Sequence, residues 1–213
     1  MKALIVFCHP KPGSFNHAVL KTVSSELQEA GAEYRVADLY ADGFTPILTR
    51  QEWECYEDTK ENTCAIGEQV DNVLWCDTLI FVYPTWWFGP PAMLKGWLDR
   101  VLVPGVAFSM PTEDNPTFAK GLTHIKRIGL FTTCGASWLL TRYIGAPGKR
   151  TILRGVRALC HPHVKTAFAA HYKMDFSTPQ SRAGHLARVQ AKMRRLIGKP
   201  ARERQSITQE QTA

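Results

Sequence analysis

Short apolar runs alternate with amphipathic stretches along most of this chain. Five runs rich in apolar residues predict strands, at 2–7, 32–38, 78–83, 125–131 and 164–170. Apolar residues at helical spacing predict helices over 18–29, 65–76, 91–102, 154–159 and 180–197. The first, third and fourth apolar runs do not alternate with polar residues, as is typical of strands buried on both faces. The pattern therefore predicts a doubly wound parallel sheet of five strands with helices on both faces.

The apolar run at 78–83 and the residues that follow it form the stretch around which the chain is organised. Pro84 has no backbone N–H for a strand ladder, so we expect the strand to end there. Trp86, Trp87 and Phe88 then lie on the loop at the strand's carboxyl end, the edge where open parallel sheets bind ligands. Three consecutive large rings cannot all enter a core, so we expect at least one at a ligand surface. The alternative is a purely structural aromatic cluster.

Two further loops with special chemistry follow strands at the same edge. In the first, residues 13–16 place hydroxyl, amide and backbone N–H groups at a helix N-terminus, where a phosphate is favoured. Ser14 or Asn16 acting only as an N-cap is the alternative. In the second, residues 132–138 are mostly small, and Gly135 lets the backbone approach a flat ligand, although a tight turn into a helix is equally consistent. We expect the three loops to converge on one site.

Composition places the chain among ordinary folded proteins. The 213 residues are 45% hydrophobic and 21% charged, which suits one domain over 1–200 followed by a disordered tail at 201–213. No apolar segment reaches membrane-spanning length. The six cysteines form no C-x-x-C pair and no metal spacing with the histidines, so we expect reduced thiols, no metal and a cytoplasmic location.

The net charge of +7 is concentrated between residues 142 and 204. A solvated helix face with a basic tail is one interpretation; attraction to nucleotide phosphates, anionic lipid or a partner is the other. The chain has no nucleic-acid module signature, so nucleic-acid binding is not predicted.

Four motifs carry a resemblance to a known family. They are H-P-x-x-x-S-F-N at 9–16, D-L-Y-A-x-x-F-x-P-I at 38–47, P-x-x-W-F-G-x-P-A-x-L-K-G-W-x-D/E-R-V at 84–101, and T-T-x-G at 132–135. Together they resemble the NAD(P)H:quinone oxidoreductases of the DT-diaphorase type, within a flavodoxin-2 group that includes bacterial potassium-efflux ancillary proteins. Five strands with the first at the centre match the flavodoxin-like order 2-1-3-4-5, where the flavin lies between the first and third strands.

The resemblance implies that all three loops contact a flavin. The implied phosphate cradle consists of His9, Ser14, Phe15 and Asn16. The implied contacts of the isoalloxazine edge and its aromatic wall are Pro84, Thr85, Trp86, Trp87 and Phe88. The implied contacts of its pyrimidine side are Thr132, Thr133, Cys134 and Gly135. Backbone N–H groups near that side would stabilise the reduced flavin, and aromatic walls would keep it dry.

The chain departs from the diaphorases after residue 135. Leu140 and Ala146 stand in register with a tyrosine and a histidine of that family, so a proton relay through such a pair is not expected. Tyr143 and Arg142, which lie between them, are the candidate catalytic residues; simple loop positions are the alternative. Residues 145–150 could bind the phosphate of a nicotinamide nucleotide, or be the basic start of a surface helix.

The resemblance implies a flavin-dependent NAD(P)H dehydrogenase that reduces quinones or similar electrophiles by ping-pong hydride transfer. FAD is favoured over FMN, since the diaphorase-like motifs extend through 38–47. The family is usually homodimeric, which makes Trp86, Trp97 and residues 104–123 candidates for an interface. Two alternatives stay open: a flavin-binding regulatory subunit of a cation-efflux system, and an azo- or nitro-reductase.

Overall fold

A computed structural model describes residues 1–111, 113 and 116–198 of the chain. Its main sheet contains five parallel strands, β1 (Lys2–Phe7), β2 (Glu33–Asp38), β3 (Thr78–Thr85), β6 (Arg127–Cys134) and β7 (Lys165–His171). A separate antiparallel pair, β4 (Phe108–Ser109) and β5 (Ala119–Lys120), lies within the predicted excursion at 104–123. The main sheet has the order β2-β1-β3-β6-β7, which confirms the predicted 2-1-3-4-5. The tail predicted at 201–213 lies outside the described residues.

Helices cover both faces of this sheet. They are α1 (Phe15–Glu29), α2 (Arg50–Glu54), α3 (Gly67–Trp75), α4 (Ala92–Val101), α5 (Trp138–Tyr143), α6 (Pro147–Arg150) and α7 (Pro179–Ile197). A π-helical segment, Thr151–Val156, continues α6, and single 3₁₀ turns occur at Cys64–Ile66 and Met174–Phe176. None of the helices in the described ranges is long and apolar enough to cross a bilayer.

The two helical layers explain why the central strands carry unbroken apolar runs. On one face, Val23 of α1 and Met193 of α7 pack on Ile5 and Ile80. On the opposite face, residues of α3 and α4 pack on the alternate strand positions, such as Phe81. Every residue of β3 except the last is buried as a result. Burial on both faces removes the polar positions that a half-exposed strand would show.

The expected end of β3 at Pro84 is wrong, because β3 continues to Thr85. The Val82 carbonyl accepts a hydrogen bond from Cys8 N–H (3.0 Å), so the backbone of Val82 faces β1. Pro84, two residues on, faces the same side, and β1 has already ended there. The missing N–H therefore leaves no ladder bond unmade, while Thr85 still pairs with Cys134 of β6.

Trp97 is wrongly predicted as an interface residue. Its side chain has no exposed surface, and its indole Nε1–H donates to Gln69 Oε1 at 2.9 Å. Its ring also meets Phe81 edge-on, with centroids 6.1 Å apart. Trp97 therefore fixes α4 onto the sheet and has no surface left for a partner.

The motif at 38–47 packs against α4. A Cβ at Gly96 would fall on the backbone of Pro46, so the two segments touch main chain to main chain. Arg100 Nε donates to Glu52 Oε1 (2.8 Å), and both side chains are largely buried. Burial alone would raise the pKa of Glu52, but the Thr49 N–H and the Arg100 guanidinium hold it below its usual range. The start of α4, and with it the loop before α4, is thereby fixed.

Candidate functional site

A cavity of about 630 Å³ lies at the carboxyl edge of the sheet, where the loops after β1 and β3 meet the end of β6. Apart from Ser14 and Thr132, every predicted flavin contact lines it: His9, Phe15, Asn16, Pro84, Thr85, Trp86, Trp87, Phe88, Thr133, Cys134 and Gly135. Its volume is within the range of ~300–1,000 Å³ usual for sites that enclose a small molecule. The three segments predicted to meet do converge on one cavity.

The loop after β1 ends in an unsatisfied helix N-terminus. Ser14 is the N-cap of α1, but its hydroxyl interacts with His17 Nδ1 (3.1 Å) rather than capping the helix. The backbone N–H groups of Phe15 and Asn16 have no acceptor in the described part of the chain. Free N–H groups at the positive end of a helix dipole favour an anion such as a phosphate.

Asn16 carries an unpaired acceptor into the same region. Its side chain is only 3% exposed, and Nδ2 donates to Thr133 Oγ1 at 3.1 Å. Its Oδ1 is buried without a partner among the described residues. An unmade hydrogen bond of this kind costs about 1–3 kcal/mol. A ligand hydroxyl that donates to Oδ1 would recover that energy, so Asn16 suits a polyhydroxyl chain attached to the phosphate.

His9 presents a neutral ring to the cavity. Its Nδ1 accepts a hydrogen bond from Lys11 N–H (3.0 Å), which leaves the proton on Nε2. Burial lowers the pKa of His9 below its usual value, and the positive charges of the nearby His17 and Lys11 side chains lower it further. The ring is therefore a hydrogen-bond donor through Nε2–H rather than a fixed cation.

The loop after β3 is a tight two-residue turn with strained backbone. Trp86 and Gly89 exchange both backbone hydrogen bonds (3.2 and 3.0 Å), while Trp87 (φ 47°) and Phe88 (φ 62°) occupy the left-handed region. Positive φ at both central positions defines a type I′ turn, for which Asn-Gly is preferred. Trp87 is 95% exposed, so one large ring does stand at the cavity surface. Backbone strain at aromatic residues that line a cavity indicates function.

The aromatic turn is held from below by α6. Gly148 N–H donates to the Phe88 carbonyl at 3.1 Å. A Cβ at Gly148 would lie 3.3 Å from Gly89 and from the Tyr83 hydroxyl. A side chain at position 148 would push the helix and the turn apart by a few tenths of an ångström, so glycine permits the close approach. The structure thus supplies a support for the Trp87–Phe88 backbone that sequence analysis did not find.

The expected loop at 132–134 is wrong, because these residues belong to β6. Each of them pairs with β3, and Thr132 Oγ1 also hydrogen-bonds Thr85 Oγ1 at 2.8 Å. The strand continues because β3 itself continues past Pro84 and gives β6 a partner up to Cys134. Thr132 therefore supports the cavity floor without lining it.

Ala136, Met174 and Asp175 line the cavity but were missed by sequence analysis. The connection after β7 folds back onto the end of β6, where Lys173 N–H donates to the Ala136 carbonyl (3.1 Å). A Cβ at Gly135 would lie 2.7 Å from Asp175 Oδ2. A sequence signal for Asp175 exists, since it is the only acidic residue between positions 116 and 202.

The candidate catalytic residues do not reach this cavity. Tyr143 is 87% exposed on α5 and lines no part of it. Arg142 lies over the Trp138 ring, 5.9 Å from its centroid, and lines a second cavity beside the first. A role for either residue in proton transfer stays a prediction that the geometry of the first cavity does not support.

The described residues include no group of three or more His, Cys, Asp or Glu side chains placed to hold a metal ion. His161 and His163 interact with each other through the His163 N–H and His161 Nδ1 (3.1 Å). The cavity lining instead combines the Asn16 amide, the His9 imidazole, the Asp175 carboxylate and aromatic surfaces, with backbone donors at the α1 N-terminus.

Comparison with known proteins identifies the family. The Flavodoxin_2 family model, described as a flavodoxin-like fold, matches residues 1–193. The ribosyldihydronicotinamide dehydrogenase (quinone) of Mus musculus is 35% identical over 157 residues, which cover 66% of this chain and 67% of the mouse protein. An uncharacterized NAD(P)H oxidoreductase of Haemophilus influenzae is 37% identical over 142 residues, 64% of this chain and 66% of that protein. The solved NAD(P)H:quinone oxidoreductase from Methanothermobacter marburgensis has a TM-score of 0.78 at 26% identity, with 91% of this chain and 98% of that chain covered.

Proposed function

We propose that this chain is a flavin-dependent NAD(P)H dehydrogenase that reduces quinones or similar electrophiles. It belongs to the Flavodoxin_2 family of flavodoxin-like proteins, whose model matches residues 1–193. The observation that carries the proposal is the cavity at the carboxyl edge of β1, β3 and β6, with unpaired donors at one end and aromatic rings at the other. The mouse and Haemophilus relatives are named for NAD(P)H or related nicotinamide oxidoreductases, and the mouse name specifies a quinone.

The residues present fit a flavin. The free N–H groups of Phe15 and Asn16 would receive its phosphate, and the unpaired Oδ1 of Asn16 would accept from a ribityl hydroxyl. Trp87 and Phe88 would wall the isoalloxazine on one side. Gly135 and Ala136 would lie along another edge, where the absence of a Cβ at Gly135 leaves room beside Asp175.

A bound flavin would supply the hydride-accepting and hydride-donating chemistry, while the chain contributes position and electrostatics. The aromatic turn would exclude water from the ring face, and Gly148 keeps that turn in place. The neutral His9 would donate through Nε2–H at the phosphate end. The lining contains one imidazole, His9, and one carboxylate, Asp175, and the role proposed for the chain is to orient substrates rather than to perform the transfer itself.

FAD is the proposed flavin and FMN the alternative. The expectation of FAD rests on the resemblance at 38–47, a segment that the structure uses to pack against α4 and that lines no part of the cavity. Chromatography of the flavin released from purified protein distinguishes the two cofactors.

A homodimer is part of the proposal, and Trp86 with residues 104–123 are its predicted interface. Trp86 is exposed and lines the cavity, and Met110 and Phe118 of the excursion are exposed as well. Exposed large apolar side chains are typical of a surface that a second subunit covers. Light scattering on the purified protein tests this, and a monomer at micromolar concentration would contradict it.

We propose a cytoplasmic location because all six cysteines are free thiols. Four of them are buried, and burial raises the pKa of Cys8, Cys76 and Cys160 to about 12, so they are unreactive.

The decisive experiment follows the flavin of the purified protein. We expect flavin absorbance, rapid anaerobic bleaching by NADH or NADPH, and reoxidation by a quinone. Phe88→Ala should lose flavin while keeping its fold, and Trp53→Ala, which removes an exposed ring that does not line the cavity, should keep its flavin. Protein that binds no flavin after soaking would refute the proposal. A flavin that scarcely responds to NAD(P)H would instead support a regulatory subunit, and faster reoxidation by an azo or nitro compound would change the acceptor class.

A further inference from the structure

A second cavity, about 210 Å³ in volume, lies beside the first and is strongly basic. Four of its lining residues are cations: Arg142 on α5, Lys149 and Arg150 on α6, and Arg154 on the π-helical segment. The volume is below the ~300–1,000 Å³ typical of sites that enclose a whole ligand. Such a space suits one anionic group of a larger molecule.

The positive charge of this cavity is not neutralised within the described part of the chain. None of its lining residues is acidic, and none of the four cations has a carboxylate partner there. The sequence has no Asp or Glu at all from residue 116 to residue 174. Cations clustered without counter-charges repel one another, so an anion that enters the cavity relieves that repulsion as well as binding.

Aromatic rings contact two of the cations, and a glycine leaves room for a third. Lys149 Nζ lies over the Phe168 ring, 4.5 Å from its centroid, and Arg142 lies over the Trp138 ring. Gly145 (φ 94°) has no Cβ, which would otherwise stand 3.1 Å from Arg150 Nη1. Cation–π contacts of this kind reduce the side-chain freedom that binding would otherwise remove. The exposed Trp138 ring also offers a flat surface on which a purine could stack.

The basic cavity adjoins the candidate flavin site. A narrow cleft of about 20 Å³ is lined by Phe88 and Cys134, which also line the first cavity. The same cleft is lined by Lys149 and Tyr172, which also line the second. The cleft has room for about one water molecule, so a dinucleotide with one end in each cavity would cross the surface between them.

We propose that the second cavity is a phosphate subsite that receives the 2′-phosphate of NADPH and makes the protein prefer NADPH to NADH. The inference rests on the proposed function, because it assigns the phosphate to the dinucleotide that would reduce the flavin. A guanidinium binds a phosphate bidentately, and two of the four cations, Arg150 and Arg154, are arginines four residues apart, about one helical turn.

Calorimetry with adenosine 2′,5′-bisphosphate and AMP tests the subsite on the protein as purified, because these ligands differ only in the 2′-phosphate. We expect the bisphosphate to bind at least about tenfold more tightly than AMP. The double variant Arg150→Gln/Arg154→Gln should abolish that difference and lower kcat/KM for NADPH by a similar factor while leaving NADH unchanged. The control Lys21→Gln/Arg195→Gln removes the same charge from exposed positions outside this cavity and should behave as wild type.

The outcomes separate the subsite from the proposed function. Equal affinity of the wild type for the two ligands, or an equal loss in the control variant, would overturn the subsite. Inorganic phosphate that binds as tightly as the bisphosphate would overturn its assignment to a dinucleotide. The protein could instead bind no flavin and show no turnover, yet prefer the bisphosphate in a way that Arg150→Gln/Arg154→Gln abolishes. That result would support the phosphate subsite and refute the proposed oxidoreductase function. Thermal midpoints within about 2 °C of wild type establish that each variant is folded.

Discussion

The backbone of Trp87 gives the sharpest test of the aromatic turn. Its φ of 47° is unfavourable for a tryptophan, and its side chain is 95% exposed, so the fold gains almost no burial in return. A residue that strains the backbone without packing is retained for what it binds. We predict that Trp87→Asn stabilises the flavin-free protein and weakens its affinity for flavin.

The magnitude follows from two terms. A non-glycine residue in the left-handed region costs roughly 1–2 kcal/mol, most of which asparagine avoids. The buried twentieth of the Trp87 side chain, out of up to ~250 Å², is worth only about 0.3 kcal/mol at ~25 cal/mol per Å². The net expectation is a gain of about 1 kcal/mol, or a melting temperature ~2–4 °C higher for a chain of this length.

The assay pairs thermal unfolding of flavin-free protein with a fluorescence titration of flavin. Lys173→Asn is the matched control, because Lys173 has φ 53°, is exposed and does not line the cavity. Both variants should melt higher than wild type, and only Trp87→Asn should lose flavin affinity. A lower melting temperature for Trp87→Asn beside a higher one for Lys173→Asn would refute the strain argument. Unchanged flavin affinity would remove Trp87 from the site.

Three further predictions concern the parts that hold the site. Gly96→Ala should destabilise the protein by at least about 3 kcal/mol in urea unfolding, since its methyl group would overlap the Pro46 backbone. Arg100→Met should cost about 3–5 kcal/mol at pH 7, because the Glu52 carboxylate is left largely buried without its cation. The loss should be smaller at pH 3, because without Arg100 burial favours the neutral form of Glu52, which needs no cation; equal losses at both pH values would contradict this. Burial, with smaller effects of His171 and Arg188, lowers the pKa of His185 to about 4. As the pH falls, the unfolded chain therefore binds a proton at this histidine before the folded chain does, and stability decreases between about pH 6.5 and 4. His185→Leu should flatten that part of the plot of urea midpoint against pH.

The sheet was predictable because its physics is local to each strand. Unalternating apolar runs identify strands covered on both faces, and their alternation with amphipathic helices permits few topologies. The convergence of the residues after β1 and β3 with the end of β6 then follows from the geometry of parallel strands, whose carboxyl ends share an edge. The strained φ values of Trp87 and Phe88 are not written in the sequence, which would favour Asn-Gly for such a turn.

The errors at Pro84 and at 132–134 share one cause. Whether a proline interrupts a strand depends on which neighbour its missing N–H would face, and that neighbour, β1, ends before Pro84. Once β3 continues, β6 has a partner and continues too. Asp175 was missed for a related reason, since its place beside Gly135 depends on how the connection after β7 folds back. Both cases are set by contacts between distant segments.

The departures from the diaphorase pattern change where the polar chemistry lies. Ala146, in register with that family's histidine, lines both the second cavity and the cleft that leads from it to the first. Its side chain is a single methyl group, so the space that an imidazole would fill is left open beside Lys149 and Arg150. The histidine that the resemblance implies at this position is absent, and the side chains beside it that carry charge are cations without a carboxylate partner in the described part of the chain. Such cations favour an anion in this space, so we expect this part of the chain to affect which nicotinamide dinucleotide is bound.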